Sequence, residues 1–129
     1  MKDISKIMKK VIQNKKNKED LLQKTLDSLD EMISYTDIDG KIYYLNNAFA
    51  DFLGDTKENI VGKLESDFLS KESGEMCKQN NKLAYKVGFI KKTDFVEGKF
   101  YDVYKSKIEI EGEKGEDISI LSLIKEKKV

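Results

Sequence analysis

Asp37 to Phe49 reads DIDGKIYYLNNAF: a turn signal, a short β-rich run and two asparagines leading into an apolar patch. The Asp-x-Asp-Gly opening resembles the start of a calcium loop, and the ligand chemistry of such a loop tests that reading. An EF-hand loop opening at Asp37 needs an oxygen ligand two residues after Asp39 and a bidentate Glu at its twelfth position, where Lys41 and Ala48 stand. The calcium reading fails. A hairpin fits instead, with MISYTDI as its first strand, Asp39-Gly40 as its tight turn and KIYYL as its second strand.

Beyond the hairpin, Asn46 or Asn47 can cap a short helix over Ala48 to Leu53, because an asparagine oxygen accepts an N–H of the first helical turn. Gly54 closes that helix as a left-handed terminator. Asp55 and Glu58 then form a capping box for a second short helix, TKENIV, ended by Gly62. A third helix is expected from about Ser70 to Val87, with Met76, Asn80, Leu83 and Val87 on one face and Cys77 and Ala84 beside them. Three strands follow as a meander: Thr93 to Val96, a turn at Glu97-Gly98, Phe100 to Ile110, a turn over EGEKGE, and Ile118 to Ile124.

Upstream, the chain from Lys2 to Leu29 has neither Gly nor Pro, and its apolar residues recur at helical spacing. Met8, Ile12, Leu22, Leu26 and Leu29 share one heptad frame, but the frame passes through Lys15 and Glu19. Either two shorter helices meet near Asn14 to Asn17, or one long helix finds a partner along part of its length. Residues 1–29 thus read as an amphipathic helix and 30–129 as a domain. Strands flanking a helical block point to α+β, with helices on one face of an antiparallel sheet. Ile118, Ile120 and Ile124 alternate with Leu121 and Leu123, and Tyr101 and Val103 with Phe100, Tyr104, Ile108 and Ile110, so both sheet faces want cover. The N-terminal helix, the chain's own or a partner's, is the natural lid.

Composition narrows the chemistry. At 129 residues with 39% hydrophobic content, one domain can bury a real core, and 24 lysines balance 24 acids. No global field favours nucleic acid, and the lysine runs read as solvated faces. The absence of His removes the imidazole base, the usual zinc site and the proximal ligand of haem. The absence of Arg removes the bidentate fork for carboxylate or phosphate. Cys77 is the single cysteine, so no intrachain disulfide forms, in keeping with a reducing, cytoplasmic setting; it reads as a small helix residue rather than a nucleophile. No apolar run approaches the roughly 20 residues of a membrane span, and neither a membrane nor a nucleic-acid partner is expected.

The stretch TDIDGKIYYLNNAFADFLGDTKENIVGK resembles the PAS domain family. The matching positions are Asp37, Gly40, Ile42, Tyr44, Asn46, Gly54, Glu58, Ile60, Gly62 and Lys63, and the likeness extends over about Leu22 to Lys128. The resemblance implies a five-stranded antiparallel sheet of spatial order 2-1-5-4-3, with helices walling a cavity against one face. It also implies a non-enzymatic sensor that binds a small molecule, or a dimerising relay to a kinase, cyclase or transcriptional output. The leading helix is similar to the dimerising segment of such proteins, which makes Met8, Ile12, Leu22, Leu26 and Leu29 the expected interface of a homodimer. Many family members end in an Asp-Ile-Thr hinge, whereas Leu123 and Lys125 occupy those places here, so output through the N-terminal helix, or a solitary module with no effector, gains weight.

The family's cofactors can be tested by the residues they require. Haem lacks its His, and covalent flavin lacks its Asn-Cys-Arg-Phe type of motif because Cys77 stands in EMCKQN. What remains is an uncoloured small molecule of unknown identity, or none. Met76, Asn80 and Leu83, with Ser106 and Ser122 read as inward-facing, are the candidate pocket residues. The alternative is that they complete a core, with Asn80 solvated or bonded to backbone. No catalytic and no metal-binding residue is expected, and Asp37 and Asp39 read as turn residues.

Overall fold

The computed structural model describes residues 4–112 and 115–128, with side chains for 5–109 and 119–128. A single helix, α1 (Ile4–Asp27), runs without a break through Asn14 to Asn17, so the long-helix alternative holds. Every residue from Ser5 to Thr25 is exposed. Two strands follow, β1 (Met32–Thr36) and β2 (Ile42–Leu45), joined through a turn in which Asp37 Oδ1 accepts from the Asp39 and Lys41 N–H groups. Gly40 at φ 91° supplies the left-handed step that closes this turn.

Asn46 caps α2 (Asn47–Leu53), its side chain accepting from the Phe49 N–H, and Gly54 ends it. The capping box expected from Asp55 and Glu58 is displaced by one residue. Thr56 caps α3 (Lys57–Ile60) by accepting from Asn59 N–H, while Asp55 Oδ1 accepts from Thr56 N–H and Asn59 Nδ2. The left-handed Gly54 turns the chain so that Asp55 precedes the cap. Residues 62–65 then run along β2: Gly62 N–H donates to Ile42 O, Ile42 N–H to Lys63 O, and Glu65 N–H to Gly40 O. This pairing carries a short 3-10 turn (Glu65–Phe68), unanticipated in the sequence, beneath the sheet.

The long helix α4 (Lys71–Val87) is capped by Ser70 and closed at Gly88. It leads into β3 (Phe89–Val96), longer than expected, then β4 (Lys99–Gly112) and β5 (Gly115–Glu126). Glu97 and Gly98 both have positive φ, as a two-residue hairpin turn requires. The tip of the turn expected over EGEKGE, at residues 113–114, lies outside the described residues. So do the side chains of Ile110 and Ile118.

The five strands form one antiparallel sheet in the order β2-β1-β5-β4-β3. Strand alternation sorts the side chains. Met32, Ser34 and Thr36 of β1, Tyr101, Val103 and Lys105 of β4, and Ile120 and Ser122 of β5 are buried on the inner face. There Met32, Tyr101 and Val103 join Ile42, Leu45, Phe49, Leu53 and Ile60 in the main core. The outer face carries Phe89, Phe95 and Phe100, each more than half exposed. Helix α1 meets this face only at its last turns, where Leu22 and Leu26 border a cleft with Tyr35 and Tyr44.

Two expectations about the inner face need correction. Ser106 pairs with Leu121 and Phe89, and shares the parity of Tyr104, so it sits on the outer face. Leu83 and Val87 are also outward, at 42% and 57% exposure, because α4 is rotated from its apolar stripe. Its buried residues are Ser73, Gly74, Asn80, Asn81 and Ala84. Gly74 explains the orientation: a Cβ there would lie 3.1 Å from Ser66 Cβ, so the helix seats closely on the 3-10 turn through a residue without a side chain.

Candidate functional site

Between α4, α2 and the inner sheet face lies a cavity of about 30 Å³. That is room for one or two waters at the usual scale of about 10–15 Å³ each. Phe49, Phe52, Leu69, Tyr101 and Val103 supply an apolar wall, and Phe52 meets Tyr101 edge-on at 5.7 Å. Cys77, Asn80, Asp94 and Lys105 border the other end, the polar groups of the last three engaged behind an apolar lining.

That end is organised by two neighbouring asparagines on α4. Asn80 donates through Nδ2 to Asp94 Oδ2 at 2.8 Å and accepts from Lys92 Nζ at 2.9 Å, so its partners are β3 side chains rather than backbone or solvent. Asn81 Oδ1 accepts from Lys105 Nζ at 2.7 Å, and the same ammonium donates to Ser122 Oγ at 3.1 Å. Lys105 is 1% exposed. A buried ammonium is costly unless its protons are satisfied and a counter-charge is near.

The counter-charge is Glu65, 2% exposed, whose Oε1 accepts from Ser34 Oγ at 3.4 Å. Burial pushes the Glu65 carboxyl above the usual range, while Lys105 and the Ser34 hydrogen bond pull the other way. Between these groups two polar atoms, Asn81 Nδ2 and Thr36 Oγ1, are buried without a hydrogen-bond partner. An orphaned buried donor costs roughly 1–3 kcal/mol, and neither residue borders the cavity itself. The Cys77 thiol is pushed up to about 11, by burial first and then by Glu65. It is a protonated wall residue.

Of the candidate pocket residues, Met76 and Asn80 line the cavity and Ser122 supports Lys105 from behind, whereas Leu83 and Ser106 lie elsewhere. Lys105, Glu65, Asn81 and Asp94 escaped the sequence reading. Lys105 had a signal, since it shares the inward parity of Tyr101 and Val103. Glu65 had none, because it sits on a 3-10 turn with no period to betray its face.

A second arrangement links the body to α1. Asn46 is fully buried; its Oδ1 accepts from Ile33 N–H at 3.0 Å and Phe49 N–H at 3.2 Å, and its Nδ2 donates to Leu26 O at 2.9 Å and Glu31 O at 2.8 Å. Beside it, Asp27 Oδ1 accepts from Asn47 N–H at 3.0 Å and from Lys57 Nζ at 2.6 Å. The end of α1, the first strand and two short helices therefore meet at one polar joint.

A family model described as the PAS fold matches residues 20–120. Among solved structures, a domain of an HTR-like protein from Haloarcula marismortui superposes with a TM-score of 0.68 at 17% identity, covering 78% of this chain and all of that one. A PAS domain of an HTR-like protein from the same organism gives 0.66 at 17% identity, over 92% and 99% of the two chains. A sensory box sensor histidine kinase from Vibrio cholerae gives 0.63 at 16% identity, over 91% and 97%. No curated protein matches the sequence.

Proposed function

The chain belongs to the PAS family, and from that premise we propose that it is a non-enzymatic, cytoplasmic sensory module whose inner chamber receives a small molecule and whose N-terminal helix carries the response. Its family and its relative among sensor histidine kinases support a sensory or signalling role. The observation that carries the ligand reading is the apolar cavity between α4, α2 and the sheet, bordered by Asn80, Asp94 and the buried Lys105. A site with apolar walls and a few convergent polar groups is the ordinary form of a small-molecule pocket. Met76, Asn80, Lys105 and Ser122 are its proposed determinants. At its present volume the chamber holds nothing larger than water, so a larger guest has to displace α4 or α2.

Displacement of that wall would reach α1 through the Asn46 joint, a two-state bias of the kind that switches relay. The proposed assembly is a homodimer joined through Leu22, Leu26 and Leu29, covering the outer aromatic face, with a kinase or comparable effector as the recipient. Native mass spectrometry of gently purified protein tests the ligand: a reproducible small-molecule adduct, lost in Lys105→Met, supports it, and its consistent absence removes it.

A second reading, a ligand-free assembly module, is favoured by the bare outer face with Phe89, Phe95 and Phe100. Sedimentation separates the parts of this picture. Leu26→Lys should convert a dimer to a monomer, whereas a wild-type monomer at high concentration removes the assembly.

A further inference from the structure

Helix α1 is not of one character along its length. From Ile4 to Lys18 it holds six lysines, Lys6, Lys9, Lys10, Lys15, Lys16 and Lys18, and no acid. The rest of the chain has eighteen lysines against twenty-four acids, so the body is net acidic while this segment is strongly basic. Ile7, Met8, Val11 and Ile12 fall on one arc of the helix, at 47%, 58%, 63% and 65% exposure. Lys6, Lys9 and Lys10 occupy the opposite arc. Among the described residues none of the six lysines forms an ion pair.

The charges decide what can cover this face. A second copy of the same helix would set six lysines against six with no acid to separate them, so self-pairing is opposed along these turns even where Leu22 and Leu26 favour it further on. A closed groove would also have to bury Lys15 and Lys18, which lie on the apolar arc one turn and more beyond Ile12. A flat anionic surface has neither difficulty. The four aliphatic side chains enter its outer layer, Lys15 and Lys18 on the same arc reach the charged headgroups, and the other lysines stay within the attractive field of the surface.

We propose that the first half of α1, Ile4 to Lys18, lies on an anionic lipid surface, with Ile7, Met8, Val11 and Ile12 inserted at the headgroup boundary and the lysines holding the acidic body away from the bilayer. This is peripheral binding, a different arrangement from a span; no described helix is long and apolar enough to cross a membrane. It places the sensor's output helix at a surface whose charge the cell can alter.

The test uses the full chain with sedimented vesicles of phosphatidylcholine alone and of phosphatidylcholine mixed equally with phosphatidylglycerol. Binding to the mixed vesicles about tenfold or more above the neutral ones is expected, falling steeply with added salt. Lys15→Glu with Lys18→Glu should weaken it by about a hundredfold, and Val11→Ser with Ile12→Ser should also reduce it. All four positions are exposed on a segment clear of the core, and an unchanged melting curve verifies that the body remains folded. Equal binding to both vesicle types, no binding to either, or binding indifferent to the lysine reversal overturns the proposal. So does a salt-labile complex with an acidic protein formed by chain that ignores the vesicles.

Discussion

Asn46 Nδ2 donates to the Leu26 carbonyl across 2.9 Å, joining the cap of α2, just past the opening hairpin, to the last turn of α1. The same side chain makes three further bonds, so its donors and its acceptor oxygen are all used. The hairpin and the helix end therefore move together or the joint opens.

Asn46→Ala should destabilise the fold by about 3 kcal/mol, since it leaves backbone groups of Leu26, Glu31, Ile33 and Phe49 without their partner. Urea unfolding measures the loss, and hydrogen exchange should report faster exchange over residues 26–33 than over β4. An unchanged midpoint would remove the joint as a structural centre.

Glu65 gives a pH dependence with a definite sign. Its folded-state pKa is raised above the ordinary 4.5, so the folded chain binds this proton more tightly than the unfolded chain. The associated stability is fully present below about 4.5 and is lost as pH rises through the raised folded value. Glu65→Gln should remove that fall, while lowering stability overall because the buried Lys105 loses its counter-charge. Denaturation curves collected across this window check it, and a variant with the slope of the parent contradicts it.

Cys77 should be slow toward thiol reagents. With its pKa pushed up to about 11, the thiolate fraction near neutrality is about a hundredfold below that of a thiol at 9.0. Alkylation by iodoacetamide in native buffer, compared with the urea-unfolded chain, measures the ratio. Native labelling as fast as in urea would place the thiol in solvent.

Gly74→Ala sets two effects against each other. Alanine favours the helix by about 1 kcal/mol, but the added methyl meets Ser66 at 3.1 Å and its backbone Cα at 3.4 Å. Overpacking against backbone should prevail, costing about 1 kcal/mol net, and Ser66→Gly in the same chain should recover part of it. A stabilised Gly74→Ala would mean that the 3-10 turn yields freely.

What was legible in the sequence was what is local. Gly40, Asn46, Gly54, Ser70 and Gly88 act within a few residues of themselves, and the turns and caps they mark stand close to where they were expected. The cap at Asp55 slipped to Thr56 because two adjacent residues had suitable side chains and only the backbone direction after Gly54 chose between them. The face of α4 was misread for a different reason. Periodicity weighs apolar residues, and this helix buries Asn80 and Asn81 while exposing Leu83, since the sheet beneath offers it Lys105 and Asp94. Partners brought together from distant strands leave no trace in the spacing of either one.

All four bonds of Asn46 end on main-chain atoms: the carbonyls of Leu26 and Glu31 and the N–H groups of Ile33 and Phe49. Main-chain atoms are the same whatever side chains precede them. An unrelated helix grafted ahead of Leu26, in phase with the native one, would find the same attachment point. The module is in this sense a coupling with an interchangeable shaft, open to new outputs without redesign of its body.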